Sequence, residues 1–164
     1  ISYWLLLVEN FLLNYKMKKK NIVGKVILVA VLFLVVAQIV HTLGAMATMG
    51  YYMLEQYFPV WSSVMMPDGG APGGMFYLLS AVFNLITGLI FALVFLAVEK
   101  GLKQKNSLKK GLLFGFLVFC VASIPGALSM VLLLNLPAML IFVWTLEALI
   151  IYLVMGMVSG KLLS

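Results

Sequence analysis

The chain has 164 residues, of which 65% are hydrophobic and 10% are charged, and its formal net charge is +6. This composition excludes an ordinary soluble domain, which is about half apolar and about a quarter charged, and it indicates an integral membrane protein of one compact domain. The positive charge does not indicate a nucleic-acid partner, because all of it is lysine, without arginine for bidentate phosphate contacts, and it lies beside hydrophobic spans.

The first 16 residues precede a segment that looks like a bacterial translation start, because Met17 is followed by three lysines and a long apolar run. We therefore interpret residues 1–16 as a non-native or upstream extension and residues 17–164 as a single transmembrane domain. If the extension is native, it is too short to span a bilayer and would lie at the membrane interface.

Four apolar windows have the length of a membrane span, since about 20 helical residues cross a hydrocarbon core of about 30 Å. They cover residues 26–47, 75–98, 111–134 and 138–159. None has the polar–apolar alternation of a barrel strand, so we predict an all-α membrane protein, a four-helix transmembrane bundle. Ala45-Met46-Ala47 also fits a signal cleavage site, which would leave three helices, but the apolar run past Ala37 favours a retained anchor.

The lysines predict which ends of the spans face the cytoplasm. They precede the first span, occupy the loop between the second and third, and follow the fourth, whereas residues 48–74 and 135–137 contain none. By the positive-inside rule both termini and the 99–110 loop are cytoplasmic, an N-in and C-in topology. We expect this multi-pass protein in the inner membrane of a bacterial cell.

Turn and aromatic residues predict how the spans are connected. Ser107 is a candidate N-cap of the third helix, and Asn135-Leu136-Pro137 predicts a tight turn that makes the last two helices an antiparallel hairpin. The extracytoplasmic segment between the first two helices is rich in aromatic residues that fit a belt at headgroup level: Tyr51, Tyr52, Tyr57, Phe58 and Trp61. We expect residues 48–58 to continue as a helix or lie in the interface, with Pro59 as the stop. A lid over an outward-facing cavity is the alternative.

One carboxylate, Glu147, lies near the middle of the fourth span, where an ionisable side chain is costly and indicates a functional site. Other polar groups or helix breaks lie at about the same depth or within about one turn of it. The candidate intramembrane polar site consists of Glu147, Asn84, Gln38, His41, Ser123 and Pro125. An isolated carboxylate in hydrocarbon is expected to be protonated unless a cation or donors reach it, and the amides of Asn84 and Gln38 can donate. Pro125 frees the carbonyl of Val121 as a further acceptor.

No motif for a cofactor, a metal or a catalytic nucleophile occurs in the sequence, so we predict no cofactor and no enzymatic activity. His41 is the only histidine, and it fits either a hydrogen-bonded interface residue or a relay or ligand. Met46, Met49 and Met53 share one helical face, and thioethers suit Cu(I), but methionine is also an ordinary filler of apolar helices.

Two functions fit these features. The first is a small carrier in which Glu147 takes up and releases a proton or cation, with Gln38, Asn84 and His41 as its partners. The second is a non-catalytic membrane scaffold or accessory subunit whose polar layer only fixes helix packing. A substrate-sized cavity that reaches Glu147 would favour the first, and a tightly filled polar layer would favour the second.

The expected partner is the lipid bilayer. Small-residue patterns such as Gly111-x-x-x-Gly115 and Gly156-x-x-x-Gly160 allow close approach of helix backbones. They favour packing within the chain over contact with a second copy or another membrane subunit.

Overall fold

The computed structural model describes residues 22–67 and 71–164, and these form four long helices, with no strand among them. In chain order the helices are α1 (Ile22–Tyr52), α2 (Gly74–Val98), α3 (Ser107–Leu133) and α4 (Ala138–Leu163). All four are long and apolar enough to cross a membrane. The predicted all-α class and its four apolar helices of spanning length are therefore confirmed.

The predicted extension at residues 1–16 and the residue Asp68 lie outside the described residues. The direction of insertion, N-in and C-in, stays a prediction that depends on the lysine pattern.

One contact joins the start of α1 to the end of α4, because the Lys25 Nζ donates to the Leu162 carbonyl at 2.8 Å. The start of α1 and the end of α4 therefore lie at the same end.

Two helix ends differ from the predicted ones. α1 ends at Tyr52 and is followed by a 3-10 turn, Glu55–Val60, so the helix stops before Pro59, which lies inside that turn. At the start of α3 the N-cap is Asn106, whose side-chain oxygen accepts a backbone N–H of the first turn at 3.1 Å. The predicted cap, Ser107, is the first helical residue, because the preceding asparagine already occupies the extended cap conformation.

The third helix changes its geometry in the middle. Its parts are α-helical Ser107–Val118, a π-helical turn Phe119–Ser123 and α-helical Ile124–Leu133. The wider turn lies directly before Pro125, which lacks the N–H that a regular helix would need. Beyond this turn α3 separates from α4, and an apolar groove of about 220 Å³ lies between them. The second half of α3 is consequently exposed along most of its length.

Before the π turn, α3 and α4 are held together by four glycines. Gly111 and Gly115 of α3 face Gly156 and Gly160 of α4, and a Cβ on any of the four would overlap the backbone of the opposite helix. Only glycine leaves room for the backbones of α3 and α4 to approach this closely. Small residues commonly allow membrane helices to pack in this way. The contacts run antiparallel, as the predicted hairpin requires, and they show that both glycine patterns act within the chain.

The core lies in the half of the bundle that contains Ile22, Val98, Ser107 and Leu163, which we call the closed half. There α1 packs between α2 and α4, and rings from all four helices meet in one cluster: Phe33, Phe91, Phe95, Phe114 and Tyr152. Within this cluster the rings of Phe91 and Tyr152 are stacked, with centroids 5.8 Å apart. The other half, which contains Tyr52, Gly74, Leu133 and Ala138, is more loosely packed, and we call it the open half. Glu147 and its surroundings lie in the open half.

Candidate functional site

The central contact of the site joins the buried carboxylate to the only histidine. Glu147, on α4, is 5% exposed, and its Oε2 lies 2.7 Å from the Nδ1 of His41 on α1. With a proton on Nδ1 the ring donates to the carboxylate, and with both nitrogens protonated the two groups form an ion pair. The contact therefore joins two groups that can exchange a proton across the α1–α4 interface.

Gly44 provides the space that the carboxylate occupies. It lies one turn after His41 on α1, and a Cβ at this position would overlap the Oε1 and the Cδ of Glu147. The Gly44 carbonyl also accepts the hydroxyl of Thr48 at 2.7 Å, which keeps that buried hydroxyl satisfied. Any larger residue at position 44 would displace the glutamate side chain.

The second carboxylate oxygen differs from the first. Oε1 of Glu147 is buried, and among the described residues no donor forms a hydrogen bond with it. A buried polar atom without a partner costs about 1–3 kcal/mol, and more when the group is charged. A proton or a cation at this oxygen would remove the negative charge and lower that cost.

Three aromatic rings pack against one another in the open half, within about one turn of the carboxylate along α4. The indole N–H of Trp144, one turn before Glu147, donates to the Tyr52 hydroxyl at 2.8 Å. The Tyr52 ring lies 5.2 Å from Trp61 and 6.3 Å from Trp144, measured between centroids. The Tyr52 hydroxyl is near enough to Glu147 for the two groups to interact electrostatically. We call these three residues the aromatic cap.

A cavity of about 520 Å³ lies on the other side of His41, between α1, α2 and the segment that connects them. Its lining residues are His41, Ser62, Val64, Phe76, Leu79, Ser80, Phe83 and Asn84. The side chain of His41 is 49% exposed, whereas that of Glu147 is 7% exposed. His41 therefore contacts the carboxylate through Nδ1 and also lines the cavity.

The predicted site residues fall into two groups in the structure. Glu147 and His41 are in contact, and Asn84 lines the same cavity as His41. The Gln38 amide does not reach the carboxylate and donates instead to the Ser80 hydroxyl at 3.1 Å, which joins α1 to α2.

Ser123 and Pro125 lie apart from this cluster. Ser123 faces the hydroxyl of Tyr152, more than one turn beyond Glu147 along α4. Pro125 is exposed, and Val121, whose carbonyl we expected near the carboxylate, is 77% exposed. The reason is that α3 packs against a different face of α4 than α1 does, so a shared depth does not bring these groups together.

Several residues that shape the site are not predicted from the sequence as contacts of the polar residues: Gly44, Ser80, Tyr52 and Trp144. A signal for Gly44 exists, because a glycine one turn from His41 marks a place where a neighbouring side chain can approach the backbone. No comparable signal exists for the pairing of Trp144 with Tyr52, which depends on how α1 and α4 are rotated.

The site can hold and transfer a proton, but its residues do not form a metal site. Among the described residues no three His, Cys, Asp or Glu side chains come together as metal ligands, and Met46, Met49 and Met53 are exposed. What the site can do chemically rests on a buried carboxylate, a half-exposed imidazole and a cavity beside it.

No protein-family model matches the chain, and neither the curated proteins nor the solved structures contain a match to it.

Proposed function

We propose that this protein is a small membrane carrier that takes up and releases a proton through the Glu147–His41 pair. The observation that supports this proposal most directly is the position of His41, which contacts the buried carboxylate and also lines the cavity. An intramembrane carboxylate paired with a titratable group is typical of proton pathways. A carrier needs such a group to be reachable from the place where its substrate binds.

The route of the proton follows from the burial of the two side chains. Glu147 is almost completely buried and touches the cavity only through His41, so a proton from the cavity enters at Nε2 of the imidazole. The imidazole then passes the proton from Nδ1 to Oε2 of the carboxylate. In this scheme Gly44 and the aromatic cap keep the carboxylate in place and away from bulk water.

The proposed setting is the inner membrane of a bacterial cell, with both termini in the cytoplasm. In that orientation the cavity and the aromatic cap lie toward the extracytoplasmic side, and the closed half lies toward the cytoplasm. The lysines at the closed-half ends of α1, α3 and α4 support this direction by the positive-inside rule. We propose transport without enzymatic chemistry.

A second function, a scaffold or accessory subunit, is favoured by the tight fit of Glu147 against Gly44. In that case the Glu147–His41 contact would serve only to hold α1 and α4 in register. Polar contacts between membrane helices contribute about 0.6 kcal/mol on average, and a contact with a charged group contributes more, so this pair is sufficient for such a role.

Carbodiimide labelling of the reconstituted protein across pH, followed by mass spectrometry, separates the two functions. These apolar reagents modify carboxyl groups that are protonated and reachable within the membrane. For a carrier we expect Glu147 to react in a pH-dependent way, and we expect His41→Gln to change the pH dependence because it removes the partner. Glu55, which is exposed, serves as the comparison within the same chain. If Glu147 stays unmodified at every pH while Glu55 reacts, the scaffold is the better account.

A further inference from the structure

We infer that the cavity beside His41 binds a lipophilic organic monocation with an aromatic ring, and that this cation exchanges for the proton of the Glu147–His41 pair. The inference rests on the proposed carrier function and names the class of substrate. It is carried by the size of the cavity, the chemistry of its walls and the position of the buried carboxylate behind one wall.

The size of the cavity fits a small organic molecule. Its volume of about 520 Å³ falls within the range of about 300–1,000 Å³ that is usual for small-molecule pockets. It opens between α1 and α2 and extends under the connecting segment at Ser62 and Val64. A bare proton or metal ion would need no space of this kind.

The walls of the cavity are amphipathic. Phe76 and Phe83, two turns apart on α2, supply aromatic surface, while Ser80 and Asn84 on the same helix supply hydrogen-bonding groups. Such a surface suits a molecule with a flat apolar part and a polar or charged part. Aromatic side chains also attract organic cations through the faces of their rings.

The charges around the cavity favour a cation over an anion. Among the described lining residues none is lysine, aspartate or glutamate, and α2 carries no charged residue along its length. The titratable groups that face Glu147 in the described structure are His41 and Tyr52, both on α1. The lysines of α1, α3 and α4 lie at the closed-half ends of their helices. The state of the Glu147–His41 pair therefore sets the charge beside the cavity.

Proton balance then links the two ligands. With one proton on the pair, its net charge is zero, either as carboxylate with imidazolium or as carboxylic acid with neutral imidazole. When that proton leaves, the carboxylate and the neutral imidazole have a net charge of −1, which attracts a monocation. Binding of one cation thus accompanies release of one proton, and the total charge of the site stays the same. A low-dielectric surrounding strengthens this attraction.

The test uses three probes of similar shape and different charge: 1-methyl-4-phenylpyridinium as cation, biphenyl-4-methanol as neutral analogue and biphenyl-4-carboxylate as anion. Their binding to the protein in lipid nanodiscs is measured by equilibrium dialysis, with empty nanodiscs subtracted to remove partitioning into lipid. We expect the cation to bind at least about tenfold more tightly than the other two at high pH. Its affinity should fall by up to about tenfold per pH unit on the acidic side, as one linked proton requires.

Two variants and a matched control accompany the probes. Glu147→Gln should abolish both the preference for the cation and its pH dependence, whereas Glu55→Gln, at an exposed glutamate in the connecting segment, should change neither. Phe83→Leu addresses the case in which Glu147→Gln does not fold, because Phe83 is 62% exposed and lines the cavity. It should weaken binding of the cation about threefold or more while leaving the neutral analogue unchanged.

The outcomes separate this inference from the proposed function. Equal binding of the three probes, absence of binding, or a cation preference that survives Glu147→Gln would overturn the cation site. If Glu147 still reacts with carbodiimide in a pH-dependent way in the same nanodiscs, the carrier proposal stands without it. If Glu147 does not react and the cation binds without pH dependence, both proposals are overturned.

Discussion

Substitution of Gly44 by alanine tests the geometry of the site most directly. The added methyl group would occupy the position of Oε1 of Glu147, so the carboxylate must move away from α1. That movement breaks or lengthens the 2.7 Å contact with His41. Gly50 offers a matched control on the same helix, because a Cβ at that position meets no atom within 4 Å.

The expected magnitude follows from the contact that is lost. A hydrogen bond to a charged group contributes about 1.5–3 kcal/mol, and a buried charge left without its partner costs more. Alanine in place of glycine stabilises a helix by about 1 kcal/mol, and this contribution is common to both substitutions. The free energy of unfolding of Gly44→Ala should therefore be lower than that of Gly50→Ala by about 1.5–3 kcal/mol.

Reversible unfolding in mixed detergent micelles, followed by tryptophan fluorescence, measures this difference. The same pair of substitutions in a His41→Gln background shows whether the loss acts through the Glu147–His41 contact, because the difference should then shrink. Equal stability of Gly44→Ala and Gly50→Ala would refute the placement of Glu147 against α1. A difference that is unchanged by His41→Gln would assign the cost to displacement of the Glu147 side chain itself rather than to loss of its contact with His41.

Three further predictions concern packing and capping. Gly115→Ala should destabilise the protein by about 1–3 kcal/mol, because the added methyl group meets the backbone of α4. Gly126→Ala is the control and should be neutral or stabilising, because a Cβ at that position meets no atom within 4 Å. Detergent-induced unfolding compares the stability of the two variants. Gln38→Leu should lower the free energy of unfolding by about 0.6 kcal/mol, because the hydrogen bond from Gln38 to Ser80 is lost. The same substitution in a Ser80→Ala background should lower it no further, which a double-mutant cycle measures. Asn106→Ala should cost about 1 kcal/mol in thermal unfolding, and Asn106→Asp, which can still cap α3, should retain wild-type stability.

The candidate site lies in the loosely packed half of the bundle. In the closed half, glycines and aromatic rings leave little space between helices. In the open half, the π turn lets α3 separate from α4, and the connecting segment lies above a cavity between α1 and α2. A protein with this distribution can change shape in the open half while the closed half holds the helices together. Tightly packed regions do not open easily, so we expect local opening in the open half before the closed half.

The position of His41 changes the interpretation of Glu147. The sequence predicts amide donors from Gln38 and Asn84 and also names His41 as a partner of the acid, without deciding among the three. In the structure the contact is with the imidazole of His41, and the Gln38 amide donates to the Ser80 hydroxyl on α2. A carboxylate paired with a histidine can exchange protons, whereas a carboxylate held by amides has no proton-exchanging partner. The candidate function therefore depends on this pair more than on a polar layer.

The sequence by itself determined the all-helical class and the number and approximate limits of the four apolar helices, and it singled out Glu147 as the candidate site residue. Each of these depends on local quantities, namely the length of an apolar run and the cost of an ionisable group within it. The antiparallel pairing of α3 and α4 also followed, because only a few residues separate them and both carry glycine patterns.

Only the tertiary structure decided which polar residues meet. Helical periodicity places His41 and Gly44 near each other on α1, but it does not show that this face turns toward α4. Gln38, on the same helix, turns toward α2, and Ser123 lies on α3, which contacts another face of α4. The rotation and the order of the helices depend on close backbone contacts at glycines such as Gly88 and Gly156. These contacts involve several helices at once, so no single segment determines them. Depth in the membrane can be counted along one chain segment, whereas contact between segments depends on all of them packing together.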